Sequence, residues 1–221
     1  MKCGIITGFQ YHSDDYLPST IHDIVKMTRW MLSLKCVVHI LTDIHNLESE
    51  FTDFEKLSIV IYRPLLKSQY ITIIDNLVTQ NMIIYFTGHS RHRKLKILDE
   101  YVSDSVYPDI LNEHDTYINA LIIMDCCFDG HHFKYFPIDI NHNNYLISPH
   151  NICMITSSYH DSSKSIKTGS FFTGKFIEYF QAGVCTDAQM VEDTLIARTK
   201  QNVTISGTIR QFDFLLPFNI E

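Results

Sequence analysis

Two short stretches, Tyr85-Phe86-Thr87-Gly88-His89-Ser90 and Leu121-Ile122-Ile123-Met124-Asp125-Cys126-Cys127-Phe128-Asp129-Gly130, limit what this chain can fold into more than any other feature. Each is an apolar, β-branched run that stops abruptly at polar and reactive residues. A parallel strand buried on both faces reads as such a continuous run. Reacting groups of open α/β sheets collect where such strands end, at the carboxyl edge. The first stretch delivers an imidazole to that edge and the second a thiol. If the two strands are neighbours, a base and a nucleophile stand side by side, which is the arrangement of a cysteine hydrolase.

The rest of the chain alternates in the same way, as expected of an α/β domain with a mainly parallel sheet. A first strand is expected over Lys2 to Phe9, ending in the polar turn Tyr11 to Asp15, and a helix over Ser19 to Leu34 with Thr20 and Asp23 as a capping-box-like pair. Cys36 to Leu41 returns as a strand closed by Thr42-Asp43. After a variable stretch from Asn46 to Ser58 come a helix over Leu65 to Gln80 and the strand Met82 to Phe86. Ser90 to Ser105 is charged and aperiodic and reads as an exposed loop. A helical turn over Tyr107 to Glu113 precedes the strand Ile118 to Met124. The segment His131 to His150, rich in His, Asn, Asp and Pro, reads as a mobile loop beside the site. A strand over Ile152 to Thr156, helices over Phe172 to Gln181 and Asp187 to Lys200, and a last strand over Val203 to Ile209 complete the pattern. No repeat or Pro/Gly-rich linker divides the 221 residues, so one domain over 1–221 without a prodomain is expected.

Composition excludes several function classes. With 18 basic and 25 acidic residues the formal charge is -7, which disfavours a nucleic-acid or anionic-membrane surface. No apolar run reaches the roughly twenty residues that span a bilayer, and the broken apolar start is too short for a signal peptide. A soluble cytoplasmic protein is therefore expected. The six cysteines lack C-x-x-C spacing and read as reduced thiols, with Cys3, Cys36, Cys153 and Cys185 as core residues. His131, His132 and His142 fit no standard metal spacing and read as a solvated loop. The basic run Arg91-His92-Arg93-Lys94 likewise reads as solvated.

A cysteine nucleophile reacts as thiolate and needs a nearby imidazole. His89 and Cys127 meet that need if their strands are adjacent, Gly88 permits a sharp turn, and the amide N–H groups near Ser90 and Cys127 are candidate oxyanion donors.

These residues also carry a resemblance. Y-F-T-G-H-S resembles the Y-x-S-G-H-G motif of metacaspases and related caspase-like peptidases of clan CD, and D-C-C-F-D-G resembles their D-x-C-x-S-G motif. Gly4 to Tyr11 is similar to the family's first strand with its Q-Y pair, and Leu17 to Asp23 to its L-x-G-C-x-N-D segment. Thr156-Ser157-Ser158 with Asp161, followed by Gly169 to Thr173, resembles its S-A-x-x-D and G-x-F-T segments. The resemblance implies a caspase-like three-layer sandwich, a mostly parallel sheet of six or more strands with helices on both faces.

It further implies Cys127 as nucleophile and His89 as its partner, with Cys126 on the variable position of the motif. Asp23, Asp125, Thr87, Ser157 and Asp161 would line a pocket for the Arg or Lys preceding the scissile bond. Two carboxylates suit a basic side chain entering a partly desolvated pocket. The implied activity is an endopeptidase linked to programmed cell death or stress responses, acting as a monomer on peptides. Lys164, Lys167 and the Arg91 to Lys94 run would be autocleavage sites. Many metacaspases require calcium; Asp99, Glu100, Asp104 and Asp109 are the acidic residues to consider for it, and the expectation is no metal and no cofactor. Three departures point to an alternative, a catalytically impaired pseudo-protease serving as a binding or decoy module. Ser90 replaces a glycine, straining the turn if the position needs positive φ. Phe128 and Asp129 replace His-Ser, and the Asp129 charge would raise the Cys127 thiol pKa. A third reading is a non-proteolytic α/β hydrolase or transferase.

Overall fold

The apolar runs assemble into a seven-stranded sheet in the computed structural model, which describes residues 2–11, 15–91, 94–127, 150–158, 165–166, 168–182 and 188–207. The sheet is built from β1 (Lys2–Gly8), β2 (Cys36–Leu41), β3 (Ile59–Tyr62), β4 (Asn81–Thr87), β8 (Asn119–Asp125), β9 (Asn151–Thr156) and β12 (Thr204–Gly207). A small antiparallel sheet, β5 (Ser90–Arg91), β6 (Lys94–Ile97) and β7 (Glu100–Ser103), follows β4, and a hairpin, β10 (Ser165–Ile166) with β11 (Gly169–Ser170), precedes the last helices. The helices are α1 (Thr20–Ser33), α2 (Asp53–Lys56), α3 (Lys67–Asn76), α4 (Val106–Asn112), α5 (Phe171–Gln181) and α6 (Ala188–Thr199).

The strand order is β12-β9-β8-β4-β1-β2-β3. All neighbours run parallel except β12, which is antiparallel to β9. The chain therefore leaves β1 in one direction to β2 and β3, then crosses back to place β4 on the other side of β1. Such a reversal of winding opens a crevice at the carboxyl edge.

Period-two alternation divides the strand residues between two cores. Ile83, Tyr85, Leu121 and Ile123 pack with Ile24, Met27 and Met31 of α1, Phe172 and Phe176 of α5 and Leu195 of α6. Met82, Ile84, Phe86, Ala120, Ile122 and Met124 pack on the other face with Tyr70 and Ile74 of α3 and Tyr107 and Leu111 of α4. Helices thus cover both faces, which explains why these strands read as unbroken apolar runs. Close approach of α1 depends on Gly8: a Cβ there would lie 2.8 Å from Ile24 Cδ1. That approach brings the first turn of α1, with Asp23, down to the sheet edge.

Several expectations are corrected. Thr20 and Asp23 form no capping box; Ser19 is the N-cap without a side-chain bond, and the Asp23 carboxylate turns to the Ser170 amide. Ser90 to Ser105 is not an exposed loop, because Leu95, Ile97 and Val102 of the small sheet are buried in the α3/α4 core. Lys94 and Lys96 flank Leu95 and precede Ile97, and they mask the buried apolar positions of β6. The helix expected over Leu65 to Gln80 is shorter, Lys67–Asn76. β3 had no sequence counterpart, since it is a half-buried edge strand with weak alternation. The 131–150 loop with its histidines falls outside the described residues except His150, as do Phe128, Asp129, Asp161, Lys164, Lys167 and Cys185. Among the described residues no helix is long and apolar enough to cross a membrane.

Candidate active site

β4 and β8 pair in parallel with Thr87 opposite Asp125, and Thr87 is also opposite Gly8 of β1. Gly88-His89 and Cys126-Cys127 therefore leave the sheet at the same level from neighbouring strands. Alternation continues past the strand end and separates the two cysteines. Cys126, in phase with Ile122 and Met124, sinks into the α3/α4 core at 1% exposure. Burial pushes its thiol well above the usual range, so it does not form a thiolate. Cys127 is half-buried, and it is the one described cysteine that is not fully buried. The Ser158 hydroxyl donates to the Cys126 carbonyl at 3.0 Å and Ser157 does so at 3.4 Å, bracing the turn that carries Cys127.

His89 is tied by both backbone and ring. Its Nε2 lies 2.8 Å from the carbonyl oxygen of Asp15. A carbonyl only accepts, so Nε2 carries the proton and Nδ1 is left as the basic atom. The His89 amide donates to Tyr11 Oη at 3.2 Å, and Tyr11 Oη donates to the Lys96 carbonyl at 2.8 Å. The Lys96 amide in turn donates to the His89 carbonyl at 2.9 Å. In a regular antiparallel ladder His89 and Lys96 would exchange two direct bonds. Here the Tyr11 hydroxyl stands in the place of one of them. Burial raises the Tyr11 hydroxyl pKa, keeping it a donor.

Gly88 is required for this insertion, because a Cβ on it would lie 2.5 Å from Tyr11 Oη. Tyr11 itself is held at φ 58, a costly conformation for an aromatic residue. The Asp43 carboxylate offsets that cost by accepting the amides of Gln10 at 2.7 Å and Tyr11 at 2.9 Å. Tyr11→Phe would leave the part-buried His89 amide and the buried Lys96 carbonyl without their bridge. It is expected to lower unfolding free energy by about 1–3 kcal/mol in urea titration.

Ser90 lies in the extended strand β5, with no positive φ, so its side chain brings no backbone strain. It pairs with Leu95, next to the bonded His89–Lys96 pair. By ladder alternation Ser90 is in a non-hydrogen-bonded pair, and its N–H faces away from β6.

Two buried carboxylates lie beside these groups on the α1/α5 face. Asp23 and Asp125 are 2% and 3% exposed, and Thr87 and Ser157 are also buried. The Ser170 amide donates to Asp23 Oδ1 at 2.6 Å. Thr173 Oγ1 donates to Asp125 Oδ2 at 2.6 Å and accepts from Tyr85 Oη at 2.7 Å. Lys26 donates to the Thr168 carbonyl at 2.6 Å, so α1 also anchors the segment leading into β11. Burial, then the Asp125 charge, pushes the Asp23 carboxyl up to about 8, while the Ser170 amide and Lys26 act in the opposite sense. The Asp23 carboxyl therefore holds its proton to higher pH than an ordinary carboxyl does.

Asp15 and Lys96 were not foreseen as parts of this site, and Tyr11, Tyr85 and Ser170 lay in recognised segments without an assigned role. Their roles come from backbone atoms and from contacts between distant segments, for which a linear sequence has no signal. Thr173 lay in a recognised segment without an assigned role. The acidic residues after β4 do not form an oxygen cage. Glu100 pairs with Lys67 at 3.1 Å, Asp109 accepts from Ser105 Oγ at 2.6 Å, and Asp104 is fully buried. No three His, Cys, Asp or Glu side chains group as metal ligands among the described residues.

No protein-family model matches the chain, and no curated protein matches it in sequence. In structure the chain is similar to the crystal structure of caspase-1 from Spodoptera frugiperda, with a TM-score of 0.64 over 95% of this chain and 89% of that one. Sequence identity is 14%. The central sheet with helices on both faces is the caspase-like α/β fold.

Proposed function

We propose that the chain is a caspase-like cysteine endopeptidase of metacaspase type that cleaves after Arg or Lys. One observation carries the reading: two buried carboxylates, Asp23 and Asp125, share the sheet edge at which β4 presents His89 and β8 presents Cys127. A thiol and an imidazole alone fit many cysteine hydrolases. The acidic pocket selects a cationic side chain and disfavours an acidic one.

In this mechanism the substrate guanidinium or ammonium enters between Asp23 and Asp125, and Thr87 lines the wall. His89 Nδ1 takes the Cys127 thiol proton, and the thiolate attacks the scissile carbonyl carbon to form the C–S bond. The oxyanion is held by the amides of Ser90 and Cys127, the Ser90 N–H being free of the β6 ladder. As the C–N bond breaks, His89 returns the proton to the leaving amine. Water, activated by the same imidazole, then hydrolyses the thioester.

The test is a matched series of fluorogenic peptide amides under reducing conditions, differing only in Arg, Lys, Leu or Asp before the reporter. Arg and Lys peptides are expected to exceed the Asp peptide in kcat/KM by at least about a thousandfold, the cost of forcing a like charge into a buried acidic site. Absence of turnover for every peptide would favour the pseudo-protease alternative. Preference for Asp would overturn the pocket assignment.

A further inference from the structure

The imidazole of His89 is oriented by the carbonyl of Asp15, an exposed residue; among the described residues of its turn, Leu17 N donates to Gln10 O at 2.8 Å. A side-chain contact to Asp15 adds to the hold on that carbonyl. Lys96 is the residue placed to do so, because it touches every other member of the cluster. Its amide donates to the His89 carbonyl and its carbonyl accepts from Tyr11 Oη. Its ammonium is paired with the Asp15 carboxylate and stands 5.0 Å from the centre of the Tyr11 ring. The Tyr11 ring lies 5.1 Å from the His89 ring. His89, Tyr11, Lys96 and Asp15 thus form a closed circuit of contacts.

Among the described residues, the Asp15 carboxylate and the Tyr11 ring account for the burial of Lys96. Its neighbours in β6, Leu95 and Ile97, point into the α3/α4 core, so period-two alternation should turn Lys96 out to solvent. Its side chain is instead 11% exposed. A lysine this buried requires an anionic partner and a packed stem, and both are present in Asp15 and the Tyr11 face. The pairing holds the Asp15 carboxyl below the usual carboxylate range.

We propose that Lys96 is the positioning residue of the site: by clamping Asp15 it keeps the Asp15 carbonyl on Nε2 and so fixes His89 in the tautomer that leaves Nδ1 basic. Its effect on turnover rests on the peptidase reading, whereas its effect on the ring does not.

The experiment reads both. Two-bond 1H–15N NMR reports the tautomer of neutral His89, with the signal assigned by its loss in His89→Gln. The intact protein is expected to show one tautomer, protonated at Nε2. Lys96→Met and Asp15→Asn are each expected to show a mixture, and Lys96→Arg to keep the single form. Asp15→Asn retains the carbonyl and lies on the surface, so it tests the clamp even where Lys96→Met destabilises the fold. In turnover, each disrupting variant is expected to lose kcat by on the order of tenfold to a hundredfold, the cost of a misplaced catalytic group, with KM changed less than about twofold. The Lys96→Met/Asp15→Asn double variant should be no slower than either single one. An unchanged tautomer in Asp15→Asn, or in folded Lys96→Met, overturns the clamp. A shifted tautomer in a protein that turns over no peptide supports the clamp and overturns the peptidase reading alone.

Discussion

Cys127→Ala is expected to lose peptide turnover by at least about a thousandfold, while Cys126→Ala keeps it within a few-fold. The two residues are adjacent in sequence and chemically identical, so the pair isolates position as the cause. Cys126 faces the α3/α4 core, where burial suppresses its thiolate. Cys127 stands past the strand end beside the edge that carries His89. Limited iodoacetamide treatment followed by mass spectrometry should label Cys127 first among the described cysteines, since Cys3, Cys36, Cys126 and Cys153 are all buried. Cys126→Ala should instead show a stability change, about 1–2 kcal/mol for deleting a buried sulfur from a packed site. Retained turnover in Cys127→Ala would remove the nucleophile from the mechanism.

Asp23→Asn is expected to lower kcat/KM for an Arg peptide by on the order of a hundredfold to a thousandfold, the cost of removing one anion from a buried charge pair. Asn keeps an oxygen for the Ser170 amide, so the loss reports charge rather than a collapsed pocket wall. Intact protein should bind basic peptides more tightly as pH rises toward about 8, because a proton on Asp23 competes with the incoming cation. The variant should lack that limb. Stability runs in the opposite sense. A carboxyl raised to about 8 binds its proton more tightly in the folded protein than in the unfolded chain. Folding stability contributed by that proton is complete below the ordinary carboxylate range and is lost as pH climbs to about 8, at up to about 1.4 kcal/mol per pH unit. Asp23→Asn should flatten the dependence of urea midpoint on pH across that window. An Arg peptide cleaved equally well by the variant would place the specificity pocket elsewhere.

The legible part of the fold was the part with simple periodicity. Strands buried on both faces, such as Met82 to Phe86 and Ile118 to Met124, declare themselves by composition. Weakly buried elements were not legible. β3 is an edge strand, and the small β5–β7 sheet carries lysines at alternate positions that mask its buried Leu95 and Ile97. Asp23 had two plausible uses, as a helix cap and as a pocket residue. Only the approach of the Gly169-Ser170 segment, distant in sequence, shows that its carboxylate accepts the Ser170 amide rather than capping the helix.

Residue identity and local pattern were enough to place an imidazole and a thiol at strand ends, because these follow from short-range order along one strand, whereas Asp23 and Asp125 as acidic companions came from the resemblance to metacaspases. The tertiary structure was needed for everything that depends on a contact across the chain. Parallel register puts Thr87 opposite Asp125, the phase of β8 buries Cys126 and spares Cys127, and a backbone carbonyl at Asp15 orients His89. A carbonyl is common to every residue and carries no sequence signature. Its role, and that of the Lys96 clamp behind it, exists only where folding brings the two segments together.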